Sequence, residues 1–559
     1  MSKQFLYIVL LGAPIFFFPA CNKKSTPDPV PPPPGPVNFN LNHWAAGGMA
    51  DAYDYKEVEP GAGFRFEFNA AIDRATVNTA IELQEANGAP LTYTVSYEKG
   101  DSVVMLQPSA AFGAISRYNL FVKESLKEKK GGILKTPISL TLLTKIDSTD
   151  KFPRITDAAL LDLVQRQTFT YFWDFGHPVS GLARERNSSG DVVTSGGSGF
   201  GVMAIITGIH RNFITRQEGL TRIQTITDFL NNKAVKYHGA FPHWLNGNTG
   251  VTVPFSQKDD GADLVETSYL VMGLLSARQY FNGVVPAEAA LRDSINKLVN
   301  AVEWNWFRKN NENVLYWHWS PNYGWDMNMP IRGWNECLIT YVLAASSTNY
   351  SIPKVVYDNG WAQNGAFKNG NTYYGYPLPL GQAQGGPLFF AHYSFLGINP
   401  FGLSDAYANY QDQVVNHTRI NYEYCKANPK GFFGYSASCW GLTASDISGG
   451  YTASSPTNDQ GYIAPTAALS SFPYTPVESM AALKFFYYTM GNRLFKTYGF
   501  VDAFSLKTPW YAGSFLAIDQ GPEIVMIENY RSGLLWQLFT SCPEIKTGMR
   551  NLGFSAPYL

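Results

Sequence analysis

Apolar and polar positions alternate in short runs between residues 38 and 146. Phe64, Phe66 and Phe68 alternate with Arg65, Glu67 and Asn69, the period of a half-buried strand. Tyr93, Val95 and Tyr97 repeat the pattern, and residues 103–106, 118–122 and 138–142 add further strands. Turn-rich stretches separate them. About seven short strands in ~100 residues have the size and rhythm of an immunoglobulin-like β-sandwich. From residue 152 the period changes. Amphipathic stretches at 155–173, 200–213, 219–232, 263–281, 287–307, 334–345, 404–427, 477–490 and 523–539 predict helices. Several are apolar nearly all round, as in residues 201–208, and such a helix is covered on all sides. Alternation of more and less buried helices predicts two concentric layers. About a dozen helices in ~400 residues suit an (α/α) toroid, and the lack of a fixed-period motif weighs against a helical solenoid.

The first 37 residues fit neither pattern. Lys3 and the apolar run 5–18 have the form of an export signal over residues 1–20, too short to span a bilayer comfortably. Ala20 precedes Cys21, as in a bacterial lipoprotein signal, so lipidation is expected at Cys21. Residues 21–37 form a Pro-rich tether that stays extended and solvated. The chain is therefore expected in the cell envelope, held to a membrane by lipid on the periplasmic face or the outer surface. No later run reads as a membrane span.

Composition narrows the function. Hydrophobic residues make up 45% and charged residues 16%, enough for a large core under a lightly charged surface. The net charge is −1, with no basic run, so nucleic acid is excluded as a partner. The 33 Tyr and 13 Trp favour sugar binding mildly, because pyranose C–H faces pack on aromatic rings. Cys337, Cys425, Cys439 and Cys542 show no C-x-x-C spacing, so zinc and thioredoxin chemistry find no support. Zincin, nucleophile-elbow and dinucleotide motifs are absent. No metal or cofactor is expected.

What remains is acid, Trp, Tyr and Asn on loops at helix ends. In the run Lys258–Tyr269, Asp263 and Glu266 are i and i+3 and share a helix face, with Asp259 one turn earlier. Asp259 or Asp260 could be a simple N-cap; Glu266, inside an apolar helix, needs a partner or a function. A second run, 316–326, gathers His318, Tyr323 and Trp325, and leads to Trp334, Asn335 and Glu336 at the start of an apolar helix. This reads as a sugar platform with an acid at its rim, and Trp244 as a further platform. A third contains Trp173-Asp174, the stretch 181–186 with Arg184, and the Gly-rich 195–201 before a helix, read as close helix packing or a sugar-facing loop. A fourth holds Asp519, Glu523 and Glu528. Paired acids with aromatic platforms suit glycosidic bond cleavage.

Residues 152–559 resemble the glucoamylase-like lipoproteins of Bacteroidetes, and within them glycoside hydrolase family 144, the bacterial β-1,2-glucanases. The resemblance rests on Trp173-Asp174, residues 195–201, Asp259, Asp263 and Glu266, Trp334-Asn335-Glu336, and Gly521-Pro522-Glu523. It implies an (α/α)6 barrel, no metal, and inverting hydrolysis of β-1,2-glucan to sophoro-oligosaccharides. It assigns the general acid to Glu336. It leaves the base among Asp263, Glu266 and Glu523. Together with the residue patterns above, this puts Asp259, Trp244, His318, Tyr323, Trp325, Trp334, Arg184 and Glu523 at the substrate as expected contacts. A monomer is expected. The alternatives are a sophorose-releasing exo-enzyme, an α-1,4-glucan hydrolase of the glucoamylase type, and a glycan-binding lipoprotein without catalysis.

Overall fold

The computed structural model describes residues 38–559; the signal segment, the tether and Cys21 lie outside the described residues. The N-terminal body is a β-sandwich. One sheet contains Leu41–Ala46, Phe64–Phe68, Val103–Pro108 and Tyr93–Glu98 in that spatial order, with Met49–Ala50 on its edge. The other orders Asp54–Val58, Ile138–Thr144, Arg117–Val122 and Ile81–Glu85. Phe64, Phe66 and Phe68 point into the core while Arg65 and Glu67 stay half-exposed, as their alternation requires. Tyr93–Glu98 is an edge strand, which is why its apolar residues are only half-buried.

The second body is helical. Its principal helices are α1 (Asp157–Trp173), α2 (Ser195–His210), α3 (Arg216–Asn232), α4 (Leu264–Tyr280), α5 (Pro286–Asn300), α6 (Leu338–Ser346), α7 (Tyr410–Ala427), α8 (Pro465–Ser470), α9 (Pro476–Lys484) and α10 (Ala517–Ser532). Burial sorts them into two rings. Every residue of α6 and α8 is buried, as are the first fifteen of α2 and Leu264–Ala277 of α4. These helices and α10 form the inner ring of an (α/α)6 barrel, with α2 packed on both α4 and α10, and α8 on α10. The 3₁₀ turns Leu388–Ala391 and Ser394–Leu396 fill the place between α6 and α8. Pro387 and Gly397 bound this pair and limit its helical length. α1, α3, α5, α7 and α9 bury one face each and sheathe the ring.

The Gly-rich stretch 195–201 is not a loop before a helix; it forms the first two turns of α2. A Cβ on Gly199 would lie 2.1 Å from the Tyr269 carbonyl oxygen, and one on Gly273 would lie 2.2 Å from the Gly199 carbonyl oxygen. The glycines let α2 and α4 touch backbone to backbone. Gly199→Ala, normally favourable in a helix, should here cost about 3 kcal/mol, because a main-chain carbonyl cannot rotate away. A thermal unfolding midpoint equal to that of the unchanged chain would refute the close-contact argument.

Several helix ends differ from the periodicity. The stretch 334–345 becomes helical only at Leu338, so Glu336 sits in the turn before α6, where the Asn335 side chain accepts from the Cys337 amide at 3.0 Å. The stretch 404–427 starts at Tyr410, capped by Asn409. The stretch 523–539 breaks at Gly533, with φ 71°. At Asn409 and Gly533 a polar or Gly cap overrides apolar spacing. Cys337, Cys425, Cys439 and Cys542 are buried free thiols.

Candidate active site

α4 positions the first acids. Asp263, not Asp259 or Asp260, is its N-cap: one carboxylate oxygen accepts from the Val265 and Glu266 amides at 3.0 and 2.9 Å. The other accepts from His243 Nδ1 at 2.9 Å. Asp263 is fully buried, and burial works against its charge. The His243 hydrogen bond, the nearby His318 and the helix amides outweigh that and hold its carboxyl below the usual range. His243 shows the reciprocal effect. Burial disfavours its cation, but Glu266, Asp263 and Asp259 together push it up to about 9. The pair is a carboxylate against an imidazolium.

Glu266, one turn on, accepts from Thr194 Oγ1 at 3.1 Å and the Gly196 amide at 2.7 Å. Burial and the charge of Asp263 raise its pKa. Gly196 is needed here, because a Cβ would lie 2.6 Å from the Glu266 carboxylate. Asp259 and His318 are also buried and face each other, Oδ1 to Nδ1, at 3.4 Å. Strand pairing of Asp263 with His318 brings the two runs together.

Glu336 completes the group. Its backbone carbonyl accepts from the Tyr269 and Ser394 hydroxyls, leaving the half-buried side chain free of the scaffold. Burial, opposed by its own amide and reinforced by Asp263 and Glu266, pushes its carboxyl up to about 7. A group that titrates near neutrality can hold and give a proton there.

Other expected site residues stand elsewhere. Trp334 is buried among Phe395, Tyr410 and His417 and offers no face to a ligand. Arg184 spends its donors on the carbonyls of Phe175, Gly176 and Gly190 and stacks on Phe175, so it braces a loop. Glu523 is fully buried with Thr168 at 3.4 Å; desolvation pushes it up to about 8, but no other carboxylate acts on it. It belongs to the packing between α1 and α10. Glu528 forms a buried ion pair with Arg211. Trp325 packs on Trp306 at 4.8 Å, and the Tyr323 hydroxyl accepts from Gln257. Trp325 thus ties its loop to Trp306, and Tyr323 ties it to 257–260, reinforced by Lys258–Asp326 and Asn322–Asp260. Trp244 is half-buried beside Phe255, ring centroids 4.8 Å apart.

Phe255 is a residue the sequence reasoning passed over. It is 50% exposed, yet its ring stacks on His243 at 4.3 Å, directly beside Asp263. An exposed Phe on a charged imidazole is a ready platform for a sugar face. Its only sequence signal is an apolar residue in a polar loop.

A second carboxylate group was anticipated only through Asp519. Arg186 pairs with Asp446 at 3.2 Å, Ser514 donates to Asp446 at 2.5 Å, and the Asp446 amide donates to Asp502 at 2.6 Å. Asp502 and Asp519 are both buried and each acts on the other's charge. Burial pushes Asp502 up to about 7, and Asp519 well above the carboxylate range, reinforced by Asp502. Two buried carboxyls in contact share one proton. The Tyr393 hydroxyl is raised first by burial and then by the charges of Asp519, Tyr451, Glu336 and Glu266.

An (α/α)6 barrel with carboxyls split between ionised and proton-holding states around the ends of its inner helices defines a protein of the glycoside hydrolase type. Comparisons make this specific. Residues 328–543 match the family described as "Putative glucoamylase", and residues 52–144 match the bacterial Ig-like domain. An endo-β-1,2-glucanase from Chitinophaga pinensis, solved with sophorotriose and glucose, is 52% identical with a TM-score of 0.71, covering 73% of this chain and 100% of its own. A β-1,2-glucanase from Parabacteroides distasonis is 38% identical with a TM-score of 0.70, covering 92% of this chain and 73% of its own. An exo β-1,2-glucooligosaccharide sophorohydrolase (non-reducing end) of Parabacteroides distasonis is 46% identical over 420 residues, 71% of this chain; the chain spans 58% of that relative's length. The chain belongs to the glucoamylase-like family of Bacteroidetes that contains these enzymes, glycoside hydrolase family 144.

Proposed function

We propose that this protein hydrolyses β-1,2-glucan with inversion, Glu336 acting as general acid. The observation that carries the reading is the state of Glu336, a carboxyl pushed to about 7 beside the ionised Asp263. Glu336 protonates the leaving glycosidic oxygen. The Asp263–Glu266 pair carries the negative charge that a water activated for attack requires, with His243 fixing Asp263 in its ionised form. Cleavage inside the chain, giving sophoro-oligosaccharides, is supported by full-length similarity to the Chitinophaga pinensis endo-β-1,2-glucanase. A second reading, release of sophorose from an end, draws support from the Parabacteroides distasonis proteins, one of which matches 92% of this chain.

The test is chromatography of products from linear β-1,2-glucan, with proton NMR of the anomer first released. A ladder of sophoro-oligosaccharides supports internal cutting, and sophorose alone supports exo action. Inversion predicts the α-anomer first. Binding without any product would remove the catalytic reading.

Phe255 serves as a sugar platform in this scheme. Phe255→Ala should raise KM about fivefold with kcat little changed, the effect of losing roughly 1 kcal/mol of contact made equally in ground and transition states. An unchanged KM on long and short substrates would place the sugar elsewhere.

The anchor belongs to the same proposal. Cys21 carries lipid and holds the enzyme at the cell envelope, supported by Ala20-Cys21 and the Pro-rich run behind it. Metabolic labelling with a radioactive fatty acid should mark the protein and not Cys21→Ser; equal labelling of both would overturn it.

A further inference from the structure

Metal-binding atoms of His243, Asp259 and Asp263 converge at the N-terminus of α4, with His318 beside them, and Asp259 Oδ1 and His318 Nδ1 meet no hydrogen-bond partner of good geometry. Asp263 has one oxygen committed to helix amides, which leaves Oδ2 as a donor, 2.9 Å from His243 Nδ1 and 3.8 Å from His318 Nδ1. His318 Nδ1 is 3.4 Å from Asp259 Oδ1. Neither of these last two atoms makes a hydrogen bond of good geometry, although His318 is 8% and Asp259 4% exposed. Donor atoms of His243, Asp259 and Asp263 all lie within 4.8 Å of one another. A buried carboxylate oxygen and a buried ring nitrogen that face each other at 3.4 Å without a good hydrogen bond are poorly satisfied.

We infer that this cluster is a binding site for a divalent transition-metal ion of the zinc class. The donor set is imidazole nitrogen and carboxylate oxygen, which suits Zn²⁺ and not Mg²⁺ or Ca²⁺, ions that take all-oxygen shells, and the ion displaces to solvent the proton that His243 Nδ1 shares with Asp263. A tetrahedral site with Zn–N and Zn–O near 2.0–2.1 Å has donor–donor edges of ~3.3 Å. The separations of 2.9, 3.4 and 3.8 Å bracket that value along three of the edges, and the donors of His243, Asp259 and Asp263 stay within 4.8 Å of one another, so side-chain rotation draws the shell together. The scaffold is already paired: Asp263 registers with His318 across a two-residue ladder, and the Asp263 amide donates to Phe241. The ion plays no part in hydrolysis. It ties up Asp263 and His243, and under the proposed function it therefore inhibits. Only that consequence rests on the proposed function; the binding itself does not.

The experiment is titration calorimetry of ZnCl₂ into the chelator-treated full chain, with MgCl₂ and CaCl₂ as controls. One equivalent of zinc binds, magnesium and calcium do not, and zinc suppresses glucan hydrolysis until EDTA is added. Asp259→Asn and His318→Gln, each checked for a native unfolding midpoint, bind zinc ~10-fold or more weakly. No zinc heat, or undiminished affinity in both folded variants, overturns the site. Should the variants not fold, anomalous scattering at the zinc edge from soaked crystals of the unaltered chain decides: a peak among the four donors supports the site and a peak only elsewhere rejects it. If the chain cleaves no glucan, zinc binding is still measured, so the two failures are distinguishable.

Discussion

Glu336→Gln should lower kcat on β-1,2-glucan about 10³-fold while leaving KM within a few-fold of its starting value, the loss expected when a general acid is removed and binding is kept. The fold should survive, because the scaffold holds Glu336 through its backbone carbonyl, which Tyr269 and Ser394 grip whatever the side chain. The amide fills the same space without a proton to give. A sophoroside with a dinitrophenyl leaving group needs no protonation and should restore most of the lost rate, which a merely structural role for Glu336 would not predict. The pH dependence has a definite sign. The acid form is the active one, so activity of the unaltered enzyme should fall as pH rises through about 7. A variant that keeps its rate on the natural glucan would move the acid to another carboxyl, with the Asp502–Asp519 pair next in line because it too holds a proton near neutrality.

What could be read from the sequence follows the range of the interactions. α4 and its acids were legible because Asp263 and Glu266 lie one turn apart in a helix whose apolar residues declare it. Glu336 was legible through its motif, although its place just outside α6 goes with a turn closed by the Asn335 side chain, which periodicity does not report. The sandwich showed itself in the Phe64–Phe68 alternation, since side-chain period is a local property. The second carboxylate group was not legible: Arg186, Asp446, Asp502, Ser514 and Asp519 come from distant segments, and only barrel closure joins them. Trp334 misled because an aromatic beside an acid looks like a platform, whereas Phe395, Tyr410 and His417 enclose it. Glu523 was legible as an acid in its helix, but its direction, inward onto Thr168, is fixed only by packing.

Asp263→Asn should reduce kcat/KM about 10²-fold or more, and its value as a test lies in what moves with the rate. Asn caps a helix nearly as well as Asp, so the bonds to the Val265 and Glu266 amides persist and α4 keeps its start. The charge is what disappears. His243 is held at about 9 first against burial, by Glu266 and then by Asp263. Losing Asp263 brings its pKa down, measurable by proton NMR of the imidazole. Stability should follow by linkage. The contribution of a raised histidine pKa is complete below about 6.5, the unfolded value, and is lost as pH rises through the folded value. In the unaltered protein that loss runs up to about pH 9. In Asp263→Asn it should be smaller and complete at lower pH. Glu336 should shift as well, because the Asp263 carboxylate is one of the charges that raise it. Its pKa falls, and the alkaline limb of the pH–rate profile moves to lower pH. A variant that is slow but keeps the original limb would show that Asp263 acts on substrate alone and not on the proton held by Glu336.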